Sequence, residues 1–269
     1  MLPELILREE KRKNYPLLFS LGLVSALVGI KLAQVLFPGK SAFAAVMFAA
    51  IPMVFPLVDV FLKDEREKEA HSPEIMIYSA LFAGQVIGFY AASLIDPSLF
   101  GMQVSVFELR LVEFGVTGYA TGGPSFVSIL VNNMTVFSFI FAVSALIGSA
   151  GAFILSWNAS VLGVFLGVLT SELSDLEVLT GDGMVPTPLA YVPHAAFEMG
   201  GFIVAGILGT MMSAAVYRRH FDRDTWEDLT KLFFTGIAMV VTGAALEMGD
   251  VTVFFAGFVS VIGLSFWMR

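Results

Sequence analysis

Of 269 residues, 57% are hydrophobic and only 14% are charged, where an ordinary soluble domain carries about 25% charged residues. Together with a mean hydropathy of +0.83, this reads as an integral membrane protein, and its 26 Phe and 25 Gly suit lipid-facing surfaces and close helix packing. The absence of cysteine excludes disulfides, thiolate metal sites and cysteine nucleophiles, and a net charge of -8 offers no basic surface for nucleic acid.

A helix that crosses a membrane needs about 20 largely apolar residues. Residues 1–14 mix acidic and basic side chains and lead to no small-residue cleavage site, so the first apolar run is expected to remain as a membrane helix rather than leave as a signal. That run covers residues 15–37 and stops at Pro38-Gly39. The second, 42–62, contains Pro52, Pro56 and Asp59 and is expected to kink at its prolines; a charged loop at 63–71 follows. The third, 75–95, holds Gln85 near its middle.

Residues 98–126 are too mixed to span. Within them, 104–114 set Val104, Phe107, Leu111 and Phe114 at helical spacing, which predicts a short helix lying at the membrane interface. The fourth span is read at 128–155. The fifth, 159–173, reaches only about 22 Å at the helical rise, so it either crosses a thinned region or turns back as a re-entrant hairpin. After an acidic loop at 174–188, Pro193 opens a sixth span to 217, since proline fits the first helical turn. A charged loop at 218–231 and spans at 232–246 and 251–268 complete the chain. The expected fold is thus an all-α polytopic transmembrane helix bundle of about eight spans, one of them short or re-entrant, plus an interfacial helix. It divides into a three-span extension (1–97), an outside interfacial segment (98–127) and a membrane core (128–269).

Charge asymmetry orients these spans. With the N-terminus in the cytoplasm, the inside segments hold Arg8, Lys11, Arg12, Lys13, Lys63, Arg66, Lys68, Arg218, Arg219, Arg223, Lys231 and Arg269, and the outside segments hold only Lys40 and Arg110. Loops rich in Lys and Arg stay inside, so a cell-membrane protein with both termini cytoplasmic is expected, and the bias requires 159–173 to cross.

That orientation gathers the polar residues of the apolar runs. Asn132 and Asn133 at the start of the fourth span, His194 and Glu198 at the start of the sixth, and Glu247 at the end of the seventh all fall on the outer side, while Asn158 falls on the inner side. Ionisable groups in a membrane helix cost about 2.5–3.5 kcal/mol on insertion scales and need partners. Stripes of small residues, Gly201, Ala205 and Gly209 on the sixth span and Ser144, Gly148 and Ala152 on the fourth, predict that these two helices cross closely.

Three functions compete for this cluster. It locks helices together in a non-enzymatic protein that organises partners; or it moves an ion, proton or small solute; or it forms an intramembrane metal-dependent enzyme site, with His194, Glu198 and Glu247 as the ligands of a divalent cation. The first is favoured and no cofactor is expected. HExxH, GxSxG, Walker and dinucleotide-binding patterns are absent, and His71, His194 and His220 are the only histidines. Gln85, expected to snorkel or to bond across helices, and Asn158, alone on the inner side, are secondary candidates. The bilayer, envelope or membrane proteins and a second copy of the chain are the expected partners.

The segments around these residues resemble the stage II sporulation protein M family. The resemblance lies in Asn132-Asn133 before a glycine-containing helix, Asn158 to Gly163, Pro193-His194-Ala195-Ala196-Phe197-Glu198, and Ala244-Ala245-Leu246-Glu247, over roughly residues 129–252. Alanine stands where the family pattern has glycine after both His194 and Asn158. The resemblance implies a multi-pass membrane scaffold or assembly component; the family's named member works with peptidoglycan-degrading proteins during engulfment.

Overall fold

A computed structural model describes residues 14–39, 41–62, 72–106, 125–176, 191–219 and 221–248. All regular structure among them is helical. Seven long helices follow in order: α1 (Tyr15–Leu36), α2 (Ser41–Leu62), α3 (Ser72–Ile95), α4 (Phe126–Ile147), α5 (Gly151–Leu176), α6 (Val192–Arg218) and α7 (Arg223–Glu247), with short 3-10 turns at Pro97–Phe100 and Gly148–Ala150. The expected span at 251–268 and most of the interfacial helix at 104–114 lie outside the described residues.

Local chemistry sets the ends. The Asn14 side chain accepts from Leu17 N at 3.2 Å, with Pro16 in the first turn of α1, and Asp222 accepts from Thr225 N at 2.8 Å to start α7. Both satisfy a backbone N–H that a helix start leaves orphaned. The Asp222 cap makes residues 223–231 the first turns of α7 and not the loop expected there. Charges that read as solvated loop occupy its exposed face, where Lys231 pairs with Glu227 at 2.9 Å.

The stretch Phe126–Ser171 is apolar throughout its 46 residues, about twice what a bilayer core accommodates. It is divided at Gly148, whose φ of 62° and ψ of -108° lie where only glycine is at ease. The chain folds back so that Gly151 sits against Ser144 and Ile140. The turn therefore falls near residue 149, not at Trp157-Asn158. The fifth helix gains a start at Gly151, and its 26 residues reach about 39 Å, so the short segment of the sequence reading is part of a full-length helix.

Glycine contacts fix how the helices run. Gly22 lies against Leu81 and Gly88 against Ala26, so α1 and α3 are parallel; Gly163 lies against Val86 and Tyr90, and Gly167 against Tyr90 and Ser93, so α3 and α5 are parallel. Gly209 abuts Phe141 and Ser144 while Asn133 meets Glu198, so α4 and α6 are parallel too. Gly201, by contrast, faces Gly236 and Val240 of the antiparallel α7. Of the small residues expected at the crossing of α4 and α6, then, Gly209 and Ser144 serve it; Gly148 makes the turn and Gly201 serves α7.

The main core joins both halves of the bundle, with Tyr78, Leu81, Leu155, Phe137, Phe202 and Ile203 buried in it. A smaller core under the other end of α1 and α2 contains Ala26, Ala49, Phe89, Phe100 and Val164. Five described stretches are long and apolar enough to cross a membrane: Tyr15–Leu36, Glu74–Ile95, Phe126–Ser171, Val192–Arg218 and Arg223–Glu247. Outward-facing Val24, Val28, Val131, Phe139 and Leu146 form the apolar surface that such helices present to lipid.

Candidate functional site

Asn133 and Glu198 each sit about two turns inside the first residue of their helix, and the parallel course of α4 and α6 brings them to one level. Asn133 Nδ2 donates to Glu198 Oε1 at 2.5 Å. Asn132 Nδ2 donates in turn to Asn133 Oδ1 at 2.9 Å, which leaves both polar ends of the Asn133 amide engaged. Glu198 is 8% exposed and Asn133 6%, so the carboxylate accepts this bond away from bulk water. Such a bond is worth more to a group that has no solvent to return to.

The third wall is backbone. Gly243 of α7 packs directly on the turn of α6 that carries the site: a Cβ there would meet Glu198 Cγ and lie 3.1 Å from both Glu198 N and His194 O. One turn deeper, Phe137 of α4 is 1% exposed and meets Phe233 of α7 edge to face at 6.3 Å. Gly243 and Phe137 thus hold α4, α6 and α7 around the Asn133–Glu198 bond.

The other predicted site residues are placed differently. His194 is half-buried, and its ring packs edge to face on Tyr191 at 5.6 Å; Tyr191 packs in the same way on Phe165 of α5 at 5.2 Å. His194 is thus tied to α5 through aromatic contacts. Glu247 is exposed at the last turn of α7, one turn beyond Gly243. Among the described residues no group of three or more His, Asp or Glu side chains is placed to hold a metal ion.

Asn158 lies within α5 and donates to Ile154 O of its own helix at 2.7 Å, since the turn that it was expected to mark falls earlier. Gln85, fully buried, joins three helices: its Nε2 donates to Ala49 O of α2 at 2.6 Å, and its Oε1 accepts from Ser156 Oγ of α5 at 2.9 Å. A second such contact was not foreseen in the sequence. The chain turns back after Ile95, Phe100 meets Phe89 edge to face at 6.1 Å, and buried Gln103 donates to Ser160 Oγ of α5 at 3.2 Å. The beginning of the segment expected to lie on the interface is therefore docked into the bundle. Phe100 three residues before Gln103 was a signal for this, an apolar and a polar residue on one helical face.

The pattern of residues around these contacts has a counterpart in known sequences. The family model described as stage II sporulation protein M matches residues 75–248, a range that takes in α3 and ends with α7. No curated protein and no solved structure matches the chain. A match over more than half of the chain, on a bundle of long apolar helices, establishes that this membrane protein belongs to the stage II sporulation protein M family.

Proposed function

We propose that the chain is a membrane scaffold or assembly component in which buried polar bonds fix the helices and leave the outer surfaces for partners. The observation that carries this is the buried bond from Asn133 of α4 to Glu198 of α6. Interhelical polar bonds in membranes contribute about 0.6–2 kcal/mol, and a carboxylate held by a neighbouring helix at the close approach of Gly243 serves rigidity. The Gln85 contacts with α2 and α5 do the same in the other half of the bundle.

In this proposal the chain crosses the cell membrane eight times with both termini cytoplasmic. The alternating parallel and antiparallel courses of α1 to α7 support it, as does the concentration of Lys and Arg in the segments assigned to the cytoplasm. The start of α4, the start of α6 and the end of α7 then share the outer side, where envelope proteins or a second copy of the chain would be met. Neither a cofactor nor nucleic acid enters this function.

Two measurements on the purified full chain test it. Reconstituted in proteoliposomes, it is expected to give no proton or cation flux above protein-free vesicles, and after cross-linking in native membranes it is expected to co-purify with membrane or envelope proteins. A flux that Glu198→Gln abolishes at unchanged melting temperature would replace the scaffold with a conducting site.

A further inference from the structure

Between α3, α5 and α6 lies a groove of about 560 Å³, within the range of small-molecule sites, about 300–1,000 Å³. Its walls are apolar: Phe82 and Val86 of α3, Leu162 and Leu166 of α5, Met199 and Ile203 of α6. The α6 wall is recessed where Ala195, Ala196 and Gly200 stand between the larger side chains. The groove opens sideways, because Ile87 and Val192 on its edge are 43% and 46% exposed and Ala196 is exposed as well. Among the described residues that opening lies uncovered on the flank of membrane helices, the side that meets hydrocarbon.

Its length and polarity select an occupant. The α6 lining runs from Tyr191 to Ile203, twelve helical steps or about 18 Å, close to half of a hydrocarbon core of roughly 30 Å. The two ends differ: at the Ile203 end the hydroxyl of Ser79 donates to Ile75 O of its own helix at 2.8 Å, and the Tyr191 end carries amphipathic rings. There the Tyr191 ring lines the groove and packs on His194, two amphipathic rings of the kind that sit at headgroup level. A leaflet-length apolar slot whose Tyr191 end carries amphipathic rings matches an amphiphile of one leaflet.

We propose that this groove holds one acyl chain of a glycerophospholipid from the leaflet on the Tyr191 side, with the glycerol and phosphate region at Tyr191 and His194. Lipid tails are as apolar as the walls, so burial alone does not favour the groove over bulk bilayer. Retention comes from fit along the recessed α6 face and from the Tyr191 end. The bound lipid bridges α3 and α5 to α6, filling the space between the half of the bundle that contains Gln85 and the half that contains Glu198.

The test is native mass spectrometry of the full chain released from vesicles of phosphatidylethanolamine and phosphatidylglycerol. The wild type is expected to retain one phospholipid per chain. Ala196→Phe, which places a ring in the groove from an exposed position, is expected to lower that retention by roughly tenfold or more, and the milder Ala196→Leu by less. Val24→Phe, on the lipid-facing side of α1, is expected to leave it unchanged. His194→Ala is expected to weaken retention without a change in oligomeric state. Equal retention by the wild type and both Ala196 variants would overturn the proposal, as would loss in Val24→Phe as large as in Ala196→Phe. Retention of free fatty acid but not phospholipid would overturn the headgroup assignment, and a wild-type dimer made monomeric by Ala196→Phe would give the groove to a second copy. Because these readouts concern lipid alone, they stand or fall independently of partner capture and ion flux.

Discussion

Replacing Gly243 by leucine tests how closely α7 must approach the site. A Cβ at this position lies 3.1 Å from Glu198 N and His194 O, a tight contact with backbone atoms that cannot rotate away. It also meets Glu198 Cγ, so the side chain that accepts from Asn133 is pushed as well. Overpacking costs about 1–3 kcal/mol and partial loss of the interhelical bond about 1 kcal/mol, which gives a destabilisation of about 2–4 kcal/mol. At about 2–4 °C per kcal/mol for a chain of this size, thermal unfolding in detergent followed by circular dichroism should show Tm lowered by roughly 5–15 °C. Gly101→Leu is the control, because nothing lies within 4 Å of a Cβ at Gly101. If Gly243→Leu and Gly101→Leu melt together, the close approach of α7 to Glu198 is not what holds this end of the bundle.

Gly148→Ala should cost about 1–3 kcal/mol in the same melt, because φ of 62° with ψ of -108° is strained for any residue with a Cβ; an unchanged Tm would mean that the turn between α4 and α5 is not confined to this residue. Gln85→Leu removes the acceptor of Ser156 Oγ and the donor to Ala49 O and should cost about 1–3 kcal/mol, where a neutral result would mean that this polar link does not hold α2, α3 and α5 together. The orientation is open to labelling, since the chain has no native cysteine. A membrane-impermeant maleimide should modify Ser125→Cys in intact cells and Glu227→Cys only after permeabilisation, and the reverse pattern would invert the proposed topology.

What the sequence makes legible follows from which signals are local. Long apolar runs mark α1, α2, α3 and α6 to within a few residues because each is bounded by charge, proline or a change in composition. The boundary between α4 and α5 is hidden, since Gly148-Ser149-Ala150-Gly151 reads equally as a small-residue packing stripe and as a turn; only the backbone at Gly148 decides. The start of α7 is obscured because charged residues on an exposed helical face look like a loop until Asp222 is recognised as a cap. At the site, helix direction alone places Asn133 and Glu198 at one level. Side-chain direction is not local: His194 and Glu198 share a helix face in sequence, yet Tyr191 engages the His194 ring while Asn133 engages Glu198. Gly243 of α7, which packs on Glu198, has no polar atom in its side chain to announce it.

A double-mutant cycle measures how firmly Asn133 and Glu198 hold α4 to α6. Asn133→Leu, Glu198→Leu and the double variant would be melted beside the wild type in one detergent, with monodispersity checked for each. Each single variant is expected to be destabilised, and the double variant to fall short of the sum by about 1–2 kcal/mol, the coupling of a buried interhelical bond. Additivity within about 0.3–0.5 kcal/mol, the behaviour of independent sites, would show that the two residues do not act as a lock.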